Sequence, residues 1–322
     1  MPKSMNATLI LAVGAGLLSA LPLMIAVSQP GGLLLLFLAP LPLFMTGFAQ
    51  GLAGAAIAGG TVLVVAGFIA GIVAAFGALL FLVGPAVLLV RQALLNRPAA
   101  VTAGAPGGLE WYPPGLLVTW LLWIGLAWAA VTMAMLTVQS GGMQATIEAH
   151  LINALGIMLP QATAEDVAQM AASMASFALG FGIVSYLLIL ALNGVLAQGT
   201  VARFGRNLRP SPDIASLRLP AWIAPALAAV LLAAFFLPGD LGFVARNVAP
   251  ILLLPFFFAG LAVAHAYARR ARSGGFLLAL FYVLLVLFTW PAAIVVLVGL
   301  FDQWADLRRR LQAVASDREE NE

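Results

Sequence analysis

Between Ala7 and Leu95 the chain carries a single charged residue, Arg91. A soluble fold cannot hide so long an apolar stretch, but a bilayer can dissolve it. Inside a bilayer every backbone amide must be satisfied by the protein itself, which leaves helix bundles or closed barrels. Barrel strands alternate polarity over about ten residues. The apolar runs here are continuous, as in 33–48 and 276–300, so the chain reads as all-α, a polytopic transmembrane helix bundle. Composition agrees, with 63% hydrophobic and 8% charged residues against about a quarter charged in soluble domains.

A span needs about twenty apolar residues. Glycines, prolines and polar breaks divide the chain into expected spans at 7–27, 32–48, 51–70, 73–95, 115–138, 174–199, 219–237 and 247–268. The run 276–300 is either one helix kinked at Pro291 or two short helices turning at Trp290-Pro291. The total is about ten spans, or nine if 276–300 is a single helix. Lys3 before the apolar stretch resembles a signal peptide, but the stretch is long for one, so an uncleaved first span is expected. The whole of 1–322 is read as a single integral membrane domain, with a Pro/Gly-rich linker at 96–114 and a polar C-terminal tail at 311–322.

The bases set an orientation. Arg91 and Arg97, the group from Arg203 to Arg218, and the group from Arg269 to Arg272 are separated by two spans each, so all can face the cytoplasm, with Lys3 and the N-terminus beside them. The segment 139–172 lacks Lys and Arg and falls outside. Within it Ile147, Leu151, Leu155 and Met158 recur at helical steps, predicting an extracytoplasmic amphipathic helix at about 142–158. Thr163 before Glu165 and Asp166 predicts the capped start of another helix, running on into the next span. Ten spans return Arg308, Arg309 and Arg310 to the cytoplasm; nine leave them outside. All but one of the bases are arginine, a bias that suits a GC-rich bacterial genome and hence the bacterial inner membrane.

Chemistry is sparse. The chain has no cysteine, which excludes thiolate metal sites and thiol nucleophiles. Glu148 and His150 stand two apart on a helix and do not share a face, so no metal or cofactor is expected. A net charge of +3 spread over short clusters is not a nucleic-acid surface, and the expected partner is the lipid bilayer. No Asp, Glu, Lys or Arg falls centrally in an expected span, which argues against an enzyme and against an ion-coupled pump. Asn193, with Gln198 at the next turn, either binds a ligand between helices or hydrogen-bonds a neighbouring helix. His265 lies one turn before Arg269 and is either a ligand or a solvated helix-end histidine. Ala12, Gly16 and Ala20 form a four-residue stripe for close helix packing, within the chain or against another membrane protein docking on the first helix.

The stretch Arg218-Leu219-Pro220-Ala221-Trp222, then 260–265, 281–288 and 299–309 (GLFDQWADLRR), resembles the YybS-like predicted membrane proteins, domain of unknown function 2232. That family is thought distantly similar to the substrate-binding subunits of energy-coupling-factor vitamin transporters, whose first helix docks a coupling protein through an alanine stripe. The resemblance matches Ala12, Gly16 and Ala20 in spacing and implies no catalytic residues. With no nucleotide-binding motif present, the expectation is a transport-related, substrate-binding or permease-like subunit energised by a separate partner. The alternative is a non-transport scaffold or envelope assembly protein.

Overall fold

The computed structural model describes residues 5–28, 35–99, 108–138 and 141–308. The tail expected at 311–322, the charges at Arg309 and Arg310, and the middle of the 96–114 linker lie outside the described residues. The helices are α1 Met5–Ser28, α2 Pro40–Gln50, α3 Leu52–Ala78, α4 Gly84–Ala93, α5 Pro114–Thr137, α6 Met143–Met158, α7 Ala164–Ala175, α8 Ala178–Arg203, α9 Ile223–Phe236, α10 Gly239–Ala268, α11 Gly274–Leu287 and α12 Trp290–Ala305. Among the described residues, five apolar stretches are long enough to cross a membrane: Asn6–Ile25, Leu52–Ala93, Pro114–Thr137, Ala178–Arg203 and Gly239–Ala268. Four shorter apolar helices accompany them.

The 42-residue stretch Leu52–Ala93 is not one rod. Gly71 sits at φ 82°, a conformation that costs glycine little and a side chain much, and there the chain reverses. A methyl group on Gly59 would strike Val83, and one on Gly67 would touch Ala75. These pairs are symmetric about Gly71, as in an antiparallel hairpin. Counting the two arms and the shorter helices gives ten apolar segments, the number expected.

The chain divides into two compact units, Met1–Pro113 with Leu187–Pro212, and Pro114–Tyr186 with Asp213–Glu322. In the first, α1 runs parallel to the opening arm of α3, with Gly16 against Ala58 and Thr61 and Ala20 beside Ala66. The start of α2 needs outside help. Pro40 and Pro42 remove two amides from its first turn, and the side chains of neighbouring helices bind the carbonyls there. Ser19 donates to the Ala39 carbonyl at 2.5 Å, and Asn193 to the Phe37 carbonyl at 2.7 Å.

In the second unit the order is α5, an α6–α7 hairpin, the first turns of α8, then α9 to α12. Helix α6 spans 143–158, against 142–158 expected. Thr163 caps α7, accepting from the Asp166 amide at 3.1 Å. The helix expected to continue into the next span is interrupted at Ser176-Phe177, where buried Asn247 of α10 takes over: its side-chain oxygen accepts from Gly180 at 2.9 Å and its amide donates to Ser176 at 3.0 Å. The turn near Pro291 is real. It falls at Phe288-Thr289 and leaves helices of 14 and 16 residues. Helices α10 and α12 cross where Gly260 faces Gly299; a methyl on either would collide with main-chain carbonyls of the other helix.

One expected boundary needs correction. The span expected at 247–268 begins at Gly239, so Asp240 and Arg246 lie inside α10, and Pro250 and Pro255 sit within the helix without ending it. The linker at 96–114 closes on itself as two short antiparallel strands, β1 Asn96–Pro98 and β2 Leu109–Trp111, tied by Arg97 and Glu110 at 2.8 Å. Its glycines and prolines read as a linker, whereas its ends pair.

Candidate functional site

The candidate residues of the first unit serve main-chain atoms. Asn193 is 2% exposed and its amide donates to Phe37 at 2.7 Å and to Ile189 at 2.8 Å. Gln198 donates at 2.8 Å to the carbonyl of Arg209. Arg209 is itself 4% exposed, and its guanidinium forks between the carbonyls of Ala93 and Tyr112, both at 2.8 Å, beneath the Trp111 ring. Ala93 ends α4, so the cation sits at the partial negative charge of a helix C-terminus. Burial pulls the pKa of Arg209 down from its ordinary value, yet an arginine stays charged. Ala12, Gly16 and Ala20 are all buried; Gly16 and Ala20 meet α3 of the same chain, which puts the stripe to use in internal packing. Beside it lies a wholly apolar recess of about 80 Å³, lined by Leu23, Met24, Val65 and Ala70 among others.

The second unit holds a different kind of site. Residues 213–222 are not a long helix. A single 3-10 turn, Ile214–Ser216, is followed by extended backbone as the segment runs along α10. Asp213 pairs with Arg269 at 2.5 Å, and four residues later Leu217 packs against Ala259 and Ala262. Seven to ten residues of α10 separate those levels, about 10–15 Å at 1.5 Å per residue. The segment therefore enters the bundle from its arginine-bearing end. A methyl on Gly115 would overlap the Arg218 carbonyl, so a glycine at the start of α5 lets this backbone through.

Asp302, on α12, is linked to the segment through Arg308. It lies just past the apolar run 276–300, yet the structure buries its side chain to 2% exposure. Arg308, with 14% of its side chain exposed, returns to it after Asp306 turns the chain in a left-handed conformation. Its Nε and Nη2 each lie 2.8 Å from Asp302 Oδ2, while Nη1 donates to the carbonyls of Ala215 and Leu217. The Arg308 amide donates to Asp302 Oδ1 at 3.3 Å. One carboxylate and two main-chain carbonyls thus converge on one guanidinium. The signal in the sequence was the six-residue spacing of Asp302 and Arg308 around an α-helix end. The sequence reading used Arg308 only as an orientation charge and did not pair it with Asp302.

His265 lies near the outer end of this segment. Its Nε2 meets the Tyr282 hydroxyl at 2.8 Å, and the Asp213–Arg269 pair lies one turn on. The Arg269 hydrogen bond holds the Asp213 carboxyl below the usual range, against a smaller opposing effect of burial. His265 and Asp302 both belong to the second unit, and Asn193 and Gln198 to the first. Among the described residues no three His, Cys, Asp or Glu gather to hold a metal ion.

A family model described as Predicted membrane protein (DUF2232) matches residues 16–303, and the chain belongs to that family. No curated protein and no solved structure matches the chain.

Proposed function

We propose that this member of the DUF2232 family is a transport-related protein, a substrate-binding or permease-like subunit for a small molecule that a separate partner energises. The supporting observation is the meeting of a buried carboxylate, Asp302, with the irregular backbone of 213–219 inward of the arginines. In a membrane, non-helical backbone is tolerated where protein or a water-filled path surrounds it, and charged groups at that depth mark substrate or ion pathways. Two devices at one place is a costly arrangement for a purely structural bundle. Its arginine-bearing end faces the cytoplasm in this reading, which puts the protein in a bacterial inner membrane with both ends inside.

The scaffold reading keeps one observation of its own. Ser19, Asn193, Gln198 and Asn247 are all turned to main-chain groups, as in a bundle built to be rigid. A likeness to energy-coupling-factor subunits also requires a coupling partner to meet a face other than Ala12, Gly16 and Ala20, since α3 covers the stripe.

The test is purification of the full chain in mild detergent. Recovery of a nucleotide-hydrolysing protein with a membrane coupling subunit, and nucleotide-driven uptake when the set is reconstituted, is the expected result. Envelope-assembly proteins recovered without either would overturn the transport reading.

A further inference from the structure

Arg308 is held as a ligand is held. Its guanidinium is gripped on three sides: Asp302 Oδ2 receives Nε and Nη2, and the carbonyls of Ala215 and Leu217 receive Nη1. None of these acceptors lies on the same helical turn as Arg308. Two come from a segment about ninety residues earlier in the chain. Asp306, at φ 46°, is the described non-glycine residue with positive φ, and that conformation sends the chain back toward the carboxylate. The acceptors belong to α12 and to a segment packed on α10 through Leu217. The group they hold comes from three residues past the last residue of α12. A carboxylate flanked by planar carbonyls suits a planar, multiply donating cation better than a metal ion, which would call for more oxygen ligands.

We propose that Asp302 with the main-chain carbonyls of Ala215 and Leu217 forms a receptor for a guanidinium group, and that Arg308 occupies it as a tethered stand-in which a small guanidinium-bearing molecule displaces. The ligand class is a guanidino or amidino compound. The proposal rests on the transport reading of the same site, and it adds the chemistry of the substrate and a competitor built into the chain. When a free ligand enters, Arg308 leaves, and the end of α12 loses the hydrogen bonds that fold it back.

The experiment uses the full chain in detergent with methylguanidinium as probe and tetramethylammonium as a cation that cannot donate hydrogen bonds. In Arg308→Ala and in Arg308→Gln, millimolar methylguanidinium should raise the melting temperature along a saturable curve and recover most of what the substitution lost. Tetramethylammonium should do nothing, and Asp302→Asn combined with either substitution should abolish the response. In the wild-type protein, which needs no variant to fold, the same probe should speed hydrogen exchange in the peptide containing Arg308, again saturably. Absence of a saturable response in both the wild-type and the variants would overturn the receptor, as would an equal response in the Asp302→Asn background. These readouts are independent of any partner. Saturable rescue without an energising partner would sink the transport reading alone, and recovery of the partner without rescue would sink the guanidinium assignment alone.

Discussion

Arg209 is the most exacting test of how the first unit is held together. It is buried, and the ion pairs among the described residues, Arg97–Glu110, Arg269–Asp213 and Arg308–Asp302, do not include it. Its charge is carried by main-chain carbonyls at 2.8 Å from Ala93 and Tyr112. Hydrogen bonds to a charged group contribute about 1.5–3 kcal/mol each, so the pair is worth roughly 3–6 kcal/mol. The Trp111 ring, 5.9 Å from the guanidinium carbon, adds about 0.5–2 kcal/mol. Against this stands the buried, unpartnered Nε, a cost of about 1–3 kcal/mol that a shorter side chain would relieve. The net loss expected for Arg209→Ala therefore spans about 0.5–7 kcal/mol and centres on about 4 kcal/mol, with two carbonyls left bare. Arg209→Lys should fall between, because one ammonium cannot fork between two carbonyls as a planar guanidinium does. Denaturant unfolding in micelles, followed by tryptophan fluorescence, reads both, and Trp111 reports directly on the site. A lysine variant as stable as wild type would refute the claim that the fork is what matters. An alanine variant within about 0.5 kcal/mol of wild type would refute the larger claim that this arginine is structural.

Three further outcomes follow from the geometry. The chain lacks cysteine, so Gly59→Cys with Val83→Cys should cross-link on mild oxidation without background: the Cβ positions are 3.7 Å apart, within disulfide range, and failure to cross-link would refute the reversal at Gly71. Asp213 has its pKa lowered by Arg269, so its stabilising effect is present above the ordinary carboxylate value and is lost as pH falls through the lower folded value. Both side chains are about half exposed, which limits the effect to about 0–1 kcal/mol; Asp213→Asn should flatten stability against pH below about pH 4, and an unchanged pH profile would count against the pair. Fusion reporters placed at residues 105, 155, 210 and 272 should read in, out, in and in, and an outside reading at 210 would reverse the proposed orientation.

What could be read from the sequence was what one physical signal decides alone. Span length against bilayer thickness gave the helices. The Thr163 cap gave the start of α7, and the Ile147–Leu155 spacing gave α6 to within a few residues. What could not be read depends on long-range partners. Gly71 was inferred as a break from length alone; its positive φ goes with the packing of two arms whose contacts reach 28 residues apart, as at Gly59 and Val87. Asn193 carried no mark to say whether its amide would face a ligand or the Phe37 carbonyl, since both uses need the same residue type in the same kind of helix.

Asp302 shows why a search for ionisable groups at the centres of expected spans misses the most suggestive one. A carboxylate near a helix end is ordinarily solvated, and the sequence around it, Asp302-Gln303-Trp304-Ala305-Asp306, is polar enough to look like a tail. The segment 213–219 packs beside α10, and its carbonyls share Arg308 with Asp302. Buried to 2%, Asp302 needs a cation, because an ionised group taken out of water without a partner is costly. Arg308 supplies it, though removing one partner of such a pair typically costs about 3–5 kcal/mol, while replacing both by apolar groups is often neutral. Stability therefore does not explain why a chain so poor in charge spends a carboxylate and an arginine here. If Asp302→Leu with Arg308→Leu folds as well as wild type, the pair is present for something other than folding, and binding is what a carboxylate and two carbonyls do.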